Sequence, residues 1–314
     1  MKFLIIGSRG FIGGSFGRFV AQLGHEVIGT GRLSLPANNW PGCYLQSSLS
    51  SAEVAAAVRE FAPDVLFNAA GPASVGESLI DPIGDFRGAA ETCANVLEGV
   101  RNSGRNPLIV LASSAAVVGN PDLLPVNEDA RVRPISPYGF HKAVCELLAR
   151  EYAECFGLKI IVCRFFSVFG PAQRRLLIWE LYQQLAGGEP TAWLAGTGTE
   201  TRDFLYIDDL TAALLGLVEN IETSDGESRT FNVASGTETS VMTLAEALRD
   251  LVAPEKEIRC HGNLRRNDPI RWWADVSRLQ MLLPSWQPRP LKEALTLCAA
   301  SWHETDRFSL QHGS

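Results

Sequence analysis

An α/β fold, with a doubly wound parallel sheet and helices on both faces, is predicted by three observations. Short apolar runs alternate with amphipathic helical runs through the first 170 residues. A glycine loop, Gly7-Ser-Arg-Gly10-Phe-Ile-Gly13, follows the first apolar run and opens the first helical one. The alternation then breaks after Gly170-Pro171, where helical patches separated by Gly/Pro loops take over. We therefore expect a Rossmann-type domain over 1–170 and a smaller C-terminal α/β subdomain lying mainly within 171–314.

The elements follow in order. Residues 3–6 form an apolar strand, and 11–23 an amphipathic helix. Residues 26–30 give the second strand, 52–61 a helix and 65–68 a strand. A long helix is expected over 86–103 and a buried strand over 108–112. A further long helix covers 137–156, and 159–165 is another apolar strand. Beyond Pro171 the helical patches are 176–185, 210–218, 243–251 and 291–302, and a polar tail from Thr305 is expected to fray.

Composition narrows the partners. A net charge of −7 argues against nucleic acid or an anionic membrane as the main partner. The seven cysteines are scattered, with no Cys-x-x-Cys and no Cys/His cluster at metal spacing. That pattern suits inert thiols in a reducing compartment and points to no metal site. The opening Met-Lys-Phe-Leu-Ile-Ile is too short for the apolar core of a signal peptide, and no apolar stretch reaches the length of a membrane span. A cytoplasmic protein is expected.

Tyr138-Gly-Phe-His-Lys142 carries the chemistry. Residues four apart share a helix face. A phenol titrates near pH ~10 in water, too high for a base at neutral pH. An ammonium one turn away and a cationic nicotinamide nearby make its anion accessible. In isolation the pattern is common and marks a surface Tyr beside a solvated Lys. Here it lies downstream of the glycine loop and of Ser113-Ser114, which end an apolar run. Ligands bind at that edge of a parallel sheet. Ser114 is placed to hydrogen-bond a reacting oxygen, although two serines there also suit loop capping.

The glycine loop suits close approach of backbone to a pyrophosphate at a helix N-terminus. The second strand ends Gly31-Arg32, where a carboxylate would hold the ribose 2′-hydroxyl of NAD. A guanidinium suits a 2′-phosphate instead, so NADP is favoured over NAD unless Arg32 is merely solvated. Asn68-Ala-Ala-Gly71 closes a strand with small residues, as a backbone running under a cofactor would. Arg202-Asp203 and Arg265 with Asp268 are loop pairs in the second half. They are either surface ion pairs or a diphosphate clamp.

Together these residues resemble the extended short-chain dehydrogenase/reductases, the NAD(P)-dependent nucleotide-sugar epimerase/dehydratase family. The likeness runs from the glycine loop through Val75-Gly-Glu-Ser78, Ser113-Ser114 with Gly119, Tyr138-x-x-x-Lys142 and Arg164-Phe-Phe-Ser-Val-Phe-Gly-Pro171. It continues through Gly196-Thr-Gly198, Arg202-Asp-Phe-Leu-Tyr-Ile-Asp-Asp209, Phe231-Asn-Val-Ala-Ser-Gly236 and Trp273-Ala-Asp275. The resemblance implies that a segment near 203–235 returns to the first domain and that the C-terminal subdomain binds substrate. It implies a cofactor site of Gly7, Arg9, Gly10, Phe11, Ile12, Gly13, Arg32, Asn68, Ala69, Ala70, Gly71, Ser113, Tyr138, Lys142 and Phe165. Ser114, Ser167, Arg202, Arg265 and Asp268 would contact a nucleotide-sugar substrate. Tyr138 would be the acid/base, Lys142 would hold the nicotinamide ribose and tune the phenol, and Ser114 would assist. A homodimer through helices 86–103 and 137–156 is also implied, with Val144, Leu147 and Leu148 as apolar candidates.

The departures from the family pattern are informative. The 4,6-dehydratases carry Asp-Glu after the catalytic hydroxyl residue, and this chain has Ala115-Ala116, so no dehydratase activity is expected. GDP-fucose synthase uses a Cys where Ala116 stands. A helix Asn of many epimerases is Ala89 here, a substrate-site Asn is Ser167, and an adenine-reading Asp is Ser48. The expected function is a nucleotide-sugar epimerase acting at C4 by reversible hydride transfer, the motif series favouring it. The alternative is an NADPH-dependent reductase of a nucleotide-linked 4-keto sugar. A non-catalytic NAD(P) sensor is a third reading, against which the joint presence of Tyr138 and Lys142 weighs.

Overall fold

The protein is described here from a computed structural model covering residues 1–34, 39–222, 226, 228–263, 267 and 269–312, with side chains to residue 304. Seven parallel strands form the central sheet: β1 (Lys2–Ile6), β2 (Glu26–Gly31), β3 (Cys43–Gln46), β4 (Val65–Asn68), β5 (Leu108–Ser114), β6 (Ile160–Phe165) and β11 (Ser228–Val233). Their spatial order is β11-β6-β5-β4-β1-β2-β3. The order reverses at β1, so the carboxyl ends of β1 and β4 border the crevice where such sheets bind ligands. β4 and β6 are buried along their whole length, as expected of parallel strands covered on both faces.

Helices α1 (Phe11–Gln22), α2 (Ser51–Phe61) and α5 (Thr92–Ser103) cover the sheet together with α6 (Pro137–Phe156). Their limits are set by local chemistry. Ser136 caps α6 by accepting from the Gly139 N–H, Pro137 stands in its first turn, and Gly157 ends it in the left-handed region at φ 74°. α2 is capped by Ser50, whose side chain accepts from the Glu53 N–H. Buried Cys145, Ala149 and Ala153 of α6 share one core with Ile109 and Leu111 of β5.

The expected helix over 86–103 is interrupted. After the short helices α3 (Val75–Ile80) and α4 (Pro82–Phe86), residues Arg87–Glu91 form a π-helical turn before α5 begins. Within this turn a Cβ at Gly88 would lie 2.9 Å from Pro72 Cδ. A Cβ at Gly71, beyond the end of β4, would lie 3.4 Å from Gly88 O, so the turn runs close beside that segment.

The second half holds strands that its helical patterning concealed. β8 (Thr191–Leu194) pairs in parallel with β13 (Glu257–Cys260), β7 (Ser167–Phe169) with β10 (Phe204–Tyr206), and β9 (Thr201–Arg202) with β12 (Thr239–Ser240) in antiparallel fashion. These strands are two to four residues long, too short for a periodic signal. Around them pack α7 (Leu176–Ala186), α8 (Ile207–Asn220), α9 (Val241–Val252), α10 (Ser277–Leu282) and α11 (Leu291–His312). Trp179, Tyr182 and Trp302 form an aromatic cluster, and the Trp302 indole donates to Pro171 O at 2.8 Å. α11 stays helical past Thr305, where the polar tail was expected to fray.

Candidate functional site

The glycine loop leaves β1 and turns at Gly7, which lies at φ 82°. A Cβ there would sit 2.8 Å from Ala70 N, and one at Gly13 would sit 2.6 Å from Gly7 O. Only hydrogen side chains permit this approach of loop, helix and β4. The result is a cleft of about 470 Å³ walled by Gly7, Arg9, Gly10, Gly31, Arg32 and Leu33 on one side. Ala69, Ala70, Gly71 and Pro72 from the end of β4 form the other side, with Gly88 and Thr92. Glu77, Asp81 and Asp85 also belong to the lining; the part walled by Gly7, Gly10 and the N-terminus of α1 fits a dinucleotide diphosphate.

Two features of the lining were not legible in the sequence. Leu49, buried and at φ 62°, forms part of the wall. Thr92 accepts a hydrogen bond from Arg32 at 2.8 Å, which lays that guanidinium across the cleft. Neither residue belongs to a readable motif, because each enters from a separate element. Ser48 is turned elsewhere. Its hydroxyl and N–H both donate to Glu53 Oε2, joined by Ser47, and these bonds draw the Glu53 carboxyl below the usual range.

α6 presents Tyr138, Lys142 and Glu146 at successive turns of one face. Lys142 is buried, and its ammonium donates to Ala112 O at 2.9 Å. It lies 6.0 Å from the centre of the Tyr138 ring, and a Cβ at Gly71 would come within 3.8 Å of it. Lys142 therefore stands between the Tyr138 ring and the cofactor cleft. The Tyr138 N–H donates to Ser78 Oγ at 3.1 Å, which ties the start of α6 to the Val75-Gly-Glu-Ser78 segment. The ring packs against the cluster containing Ala115, Ala116, Val117 and Trp272.

Ser113 and Ser114 diverge, as successive strand residues must. Ser114 Oγ accepts from the Ala116 N–H at 3.2 Å, capping the short 3₁₀ turn Ala115–Val117. Ser113 Oγ turns beneath α6 and donates to Glu146 Oε1 at 2.6 Å. Its hydroxyl is thus spent on positioning α6, and only its backbone is left to face a cofactor. Register explains the partner: Ser113 pairs with Arg164 on β6, and Arg164 with Asn232 on β11. Arg164 donates to both oxygens of Glu146 at 3.0 and 2.8 Å and to Glu128 O at 2.8 Å. Asn232 donates to Glu128 Oε1 from its backbone and to Val126 O from its amide. Burial pushes the Glu128 carboxyl up. This row of polar groups crosses three strands beneath α6, and sequence motifs alone did not reveal it.

The remaining candidates are distributed. Phe165 is buried at the end of β6, and Ser167 begins β7 opposite Phe204. Arg202 is buried, donates to Thr201 O at 2.8 Å and lies over the Trp272 ring at 6.0 Å. Asp203 is fully buried and accepts from Ser235 Oγ and N, Gly236 N and Ala274 N. That carboxylate ties the Arg202 segment to the segment bearing Trp272. Arg265 and Asp268 lie outside the described residues. Among the described residues no group of acidic, His and Cys side chains is arranged to hold a metal ion.

Fold and site together define a dinucleotide-binding enzyme class, and comparison with known proteins agrees. The chain belongs to the NAD dependent epimerase/dehydratase family, whose model matches residues 3–234. It is 28% identical over 305 residues to a UDP-glucose 4-epimerase of Mycolicibacterium smegmatis, covering 92% of this chain and 94% of that protein. Its fold matches a crystal structure of UDP-glucose 4-epimerase with UDP-glucose from Thermotoga maritima at TM-score 0.87 and 25% identity, over 97% of this chain and 99% of that one. A UDP-glucose-4-epimerase from Stenotrophomonas maltophila, with bound NAD and formylated UDP-arabinopyranose, matches at TM-score 0.88 and 25% identity, over 98% and 99%.

Proposed function

We propose that the protein is an NAD(P)-dependent nucleotide-sugar epimerase, acting at C4 of the sugar with Tyr138 as acid/base. The observation that supports this reading is the position of Lys142, whose Nζ lies 6.0 Å from the centre of the Tyr138 ring and would be met at 3.8 Å by a Cβ at Gly71, a residue of the cleft wall. When bound, a nicotinamide supplies a reversible hydride acceptor. Tyr138 Oη takes the proton of the sugar hydroxyl and returns it. Lys142 holds the nicotinamide ribose, and Ser114 hydrogen-bonds the reacting oxygen. The subdomain over 171–314 binds the substrate, with Ser167, Arg202, Arg265 and Asp268 as its contacts. Ala115 and Ala116 are apolar and buried, which supports the absence of 4,6-dehydratase chemistry. The test is incubation with a UDP-hexose and no added cofactor. Interconversion of C4 epimers, followed by NMR, is expected; no conversion of any UDP-hexose overturns the epimerase reading.

A second reading, an NADPH-dependent reductase of a nucleotide-linked 4-keto sugar, is favoured by one observation. Arg9 and Arg32 both line the cleft, where a 2′-phosphate would meet two guanidiniums. Stoichiometric loss of NADPH absorbance with a 4-keto-6-deoxy sugar nucleotide is its signature. On either reading Arg32 favours NADP(H). Arg32→Ala is expected to weaken NADP(H) binding by about 10–100-fold, the worth of a charge-assisted hydrogen bond, and NAD(H) much less. Equal losses measured by calorimetry for both cofactors would count against that preference.

The reading includes a homodimer in the cytoplasm, a setting that the free thiols of all seven cysteines fit. Ile80, Ile83 and Phe86 on α3 and α4, with Phe140, Val144 and Leu147 on α6, expose apolar side chains on helices that pack together. Leu148 packs against the core instead. Exposed apolar area of this kind marks an interaction surface. Leu147→Glu is expected to shift the protein to monomer in size-exclusion chromatography with light scattering, and a monomeric wild type removes the proposal. Among the described residues no helix is long and apolar enough to cross a membrane.

A further inference from the structure

Thr92 lines the dinucleotide cleft from the first turn of α5, where the π turn Arg87–Glu91 passes into that helix. It is almost fully buried. Its hydroxyl carries one proton, and that proton goes back across the π turn to Arg87 O at 2.9 Å. The rotor is thereby fixed, and the oxygen offers its lone pairs in a set direction. The group it meets there is the Arg32 guanidinium, which donates from Nη2 at 2.8 Å.

The backbone around Arg32 is held as well. Gln46 Nε2 donates to Arg32 O at 3.3 Å, the Tyr44 hydroxyl donates to Leu33 O at 2.8 Å, and the Ser47 N–H donates to Gly31 O at 2.9 Å. β3 and the residue after it therefore grip the chain on both sides of Arg32 while Thr92 holds the tip. Arg32 is an exposed residue. An exposed arginine samples many rotamers, and losing them on meeting a ligand weakens binding. Anchoring at both ends removes part of that loss beforehand. The bond to Thr92 uses one N–H and leaves the rest of the fork for an anion. In a sheet of this type the end of β2 meets the 2′ position of the adenosine ribose.

We propose that Thr92 is a positioning residue for cofactor discrimination, its hydroxyl holding the Arg32 guanidinium ready for the 2′-phosphate of NADP(H). The inference rests on the NADP preference assigned to Arg32 and names a second residue that confers it. A 2′-hydroxyl brings no charge to the fork, so NAD(H) gains much less from the same arrangement. A threonine kept only to close the π turn would act on both dinucleotides alike.

The full-length protein is equilibrated with an equimolar mixture of NADP and NAD, and the ratio of the two bound is read by chromatography. Thr92→Val is expected to lower the NADP/NAD ratio by about fivefold, part of what a charge-assisted bond is worth. Thr92→Ser, which keeps the hydroxyl, should return most of the loss. Thr92→Ala carries the same expectation as valine and serves if the valine variant does not fold. In the Arg32→Ala background, Thr92→Val is expected to leave the ratio where Arg32→Ala put it, because the two act through one bond. Thermal melts report the structural effect separately: valine also leaves Arg87 O without its donor, which lowers stability without moving the ratio. A ratio unchanged or raised by Thr92→Val, or lowered equally in the Arg32→Ala background, overturns the proposal and leaves the NADP preference standing. A wild type that takes up mostly NAD, or a ratio unmoved by Arg32→Ala, removes that preference and the proposal with it.

Discussion

Replacing Tyr138 with Phe is expected to lower turnover by about 10²–10⁴-fold, the usual contribution of a positioned acid/base. The reason lies in how little else the hydroxyl holds. The Tyr138 ring packs with Ala115, Ala116 and Trp272, and its backbone N–H donates to Ser78, so phenylalanine keeps both kinds of contact. Lys142 is anchored by Ala112 O and needs no phenol to stay in place. Cofactor affinity and thermal stability should therefore change little while kcat falls. Lys142→Met should differ, because it leaves Ala112 O without its donor and opens the wall beside Gly71. Stopped assays with the variant loaded with dinucleotide separate the two. Turnover within tenfold of wild type in Tyr138→Phe would remove that residue from its proposed role.

Arg164→Met is expected to destabilise the protein by about 3–5 kcal/mol, the cost of breaking a buried ion pair from one side. Arg164 is almost fully buried and its bidentate partner Glu146 nearly so. Removal strands the Glu146 carboxylate and frees Glu128 O together. The effect should reach the site as well. Glu146 stands one turn beyond Lys142 on α6 and also receives Ser113, so a loosened Glu146 releases the helix from the ends of β5 and β6. Urea unfolding measures the first effect and kcat the second. The double variant Arg164→Met/Glu146→Leu should recover much of the stability, since no unpaired charge remains. A single-variant loss below about 1 kcal/mol would show that the row contributes little and that water reaches it.

The contrast between these two positions shows what was legible. Tyr138 and Lys142 were readable because one helix carries both, at a spacing with a fixed geometric meaning. Val65–Asn68 and Pro137–Phe156 were readable to the residue, since a buried strand and a capped helix announce themselves locally. The π turn at Arg87–Glu91 was not, because no local signal within the helical pattern over 86–103 marks it. The short strands of the second half escaped for a related reason: pairs such as β9 with β12 are set by partners far along the chain.

The same division holds for chemistry. The amino-acid order alone determined the parallel α/β architecture, the tight glycine loop and the Tyr/Lys pair, all products of short-range periodicity and backbone sterics. Tertiary packing decided that Ser113 serves Glu146 and that Arg32 spans the cleft to Thr92. Such outcomes depend on which strands become neighbours and in what register. Register is a property of the folded sheet, and no single segment contains it.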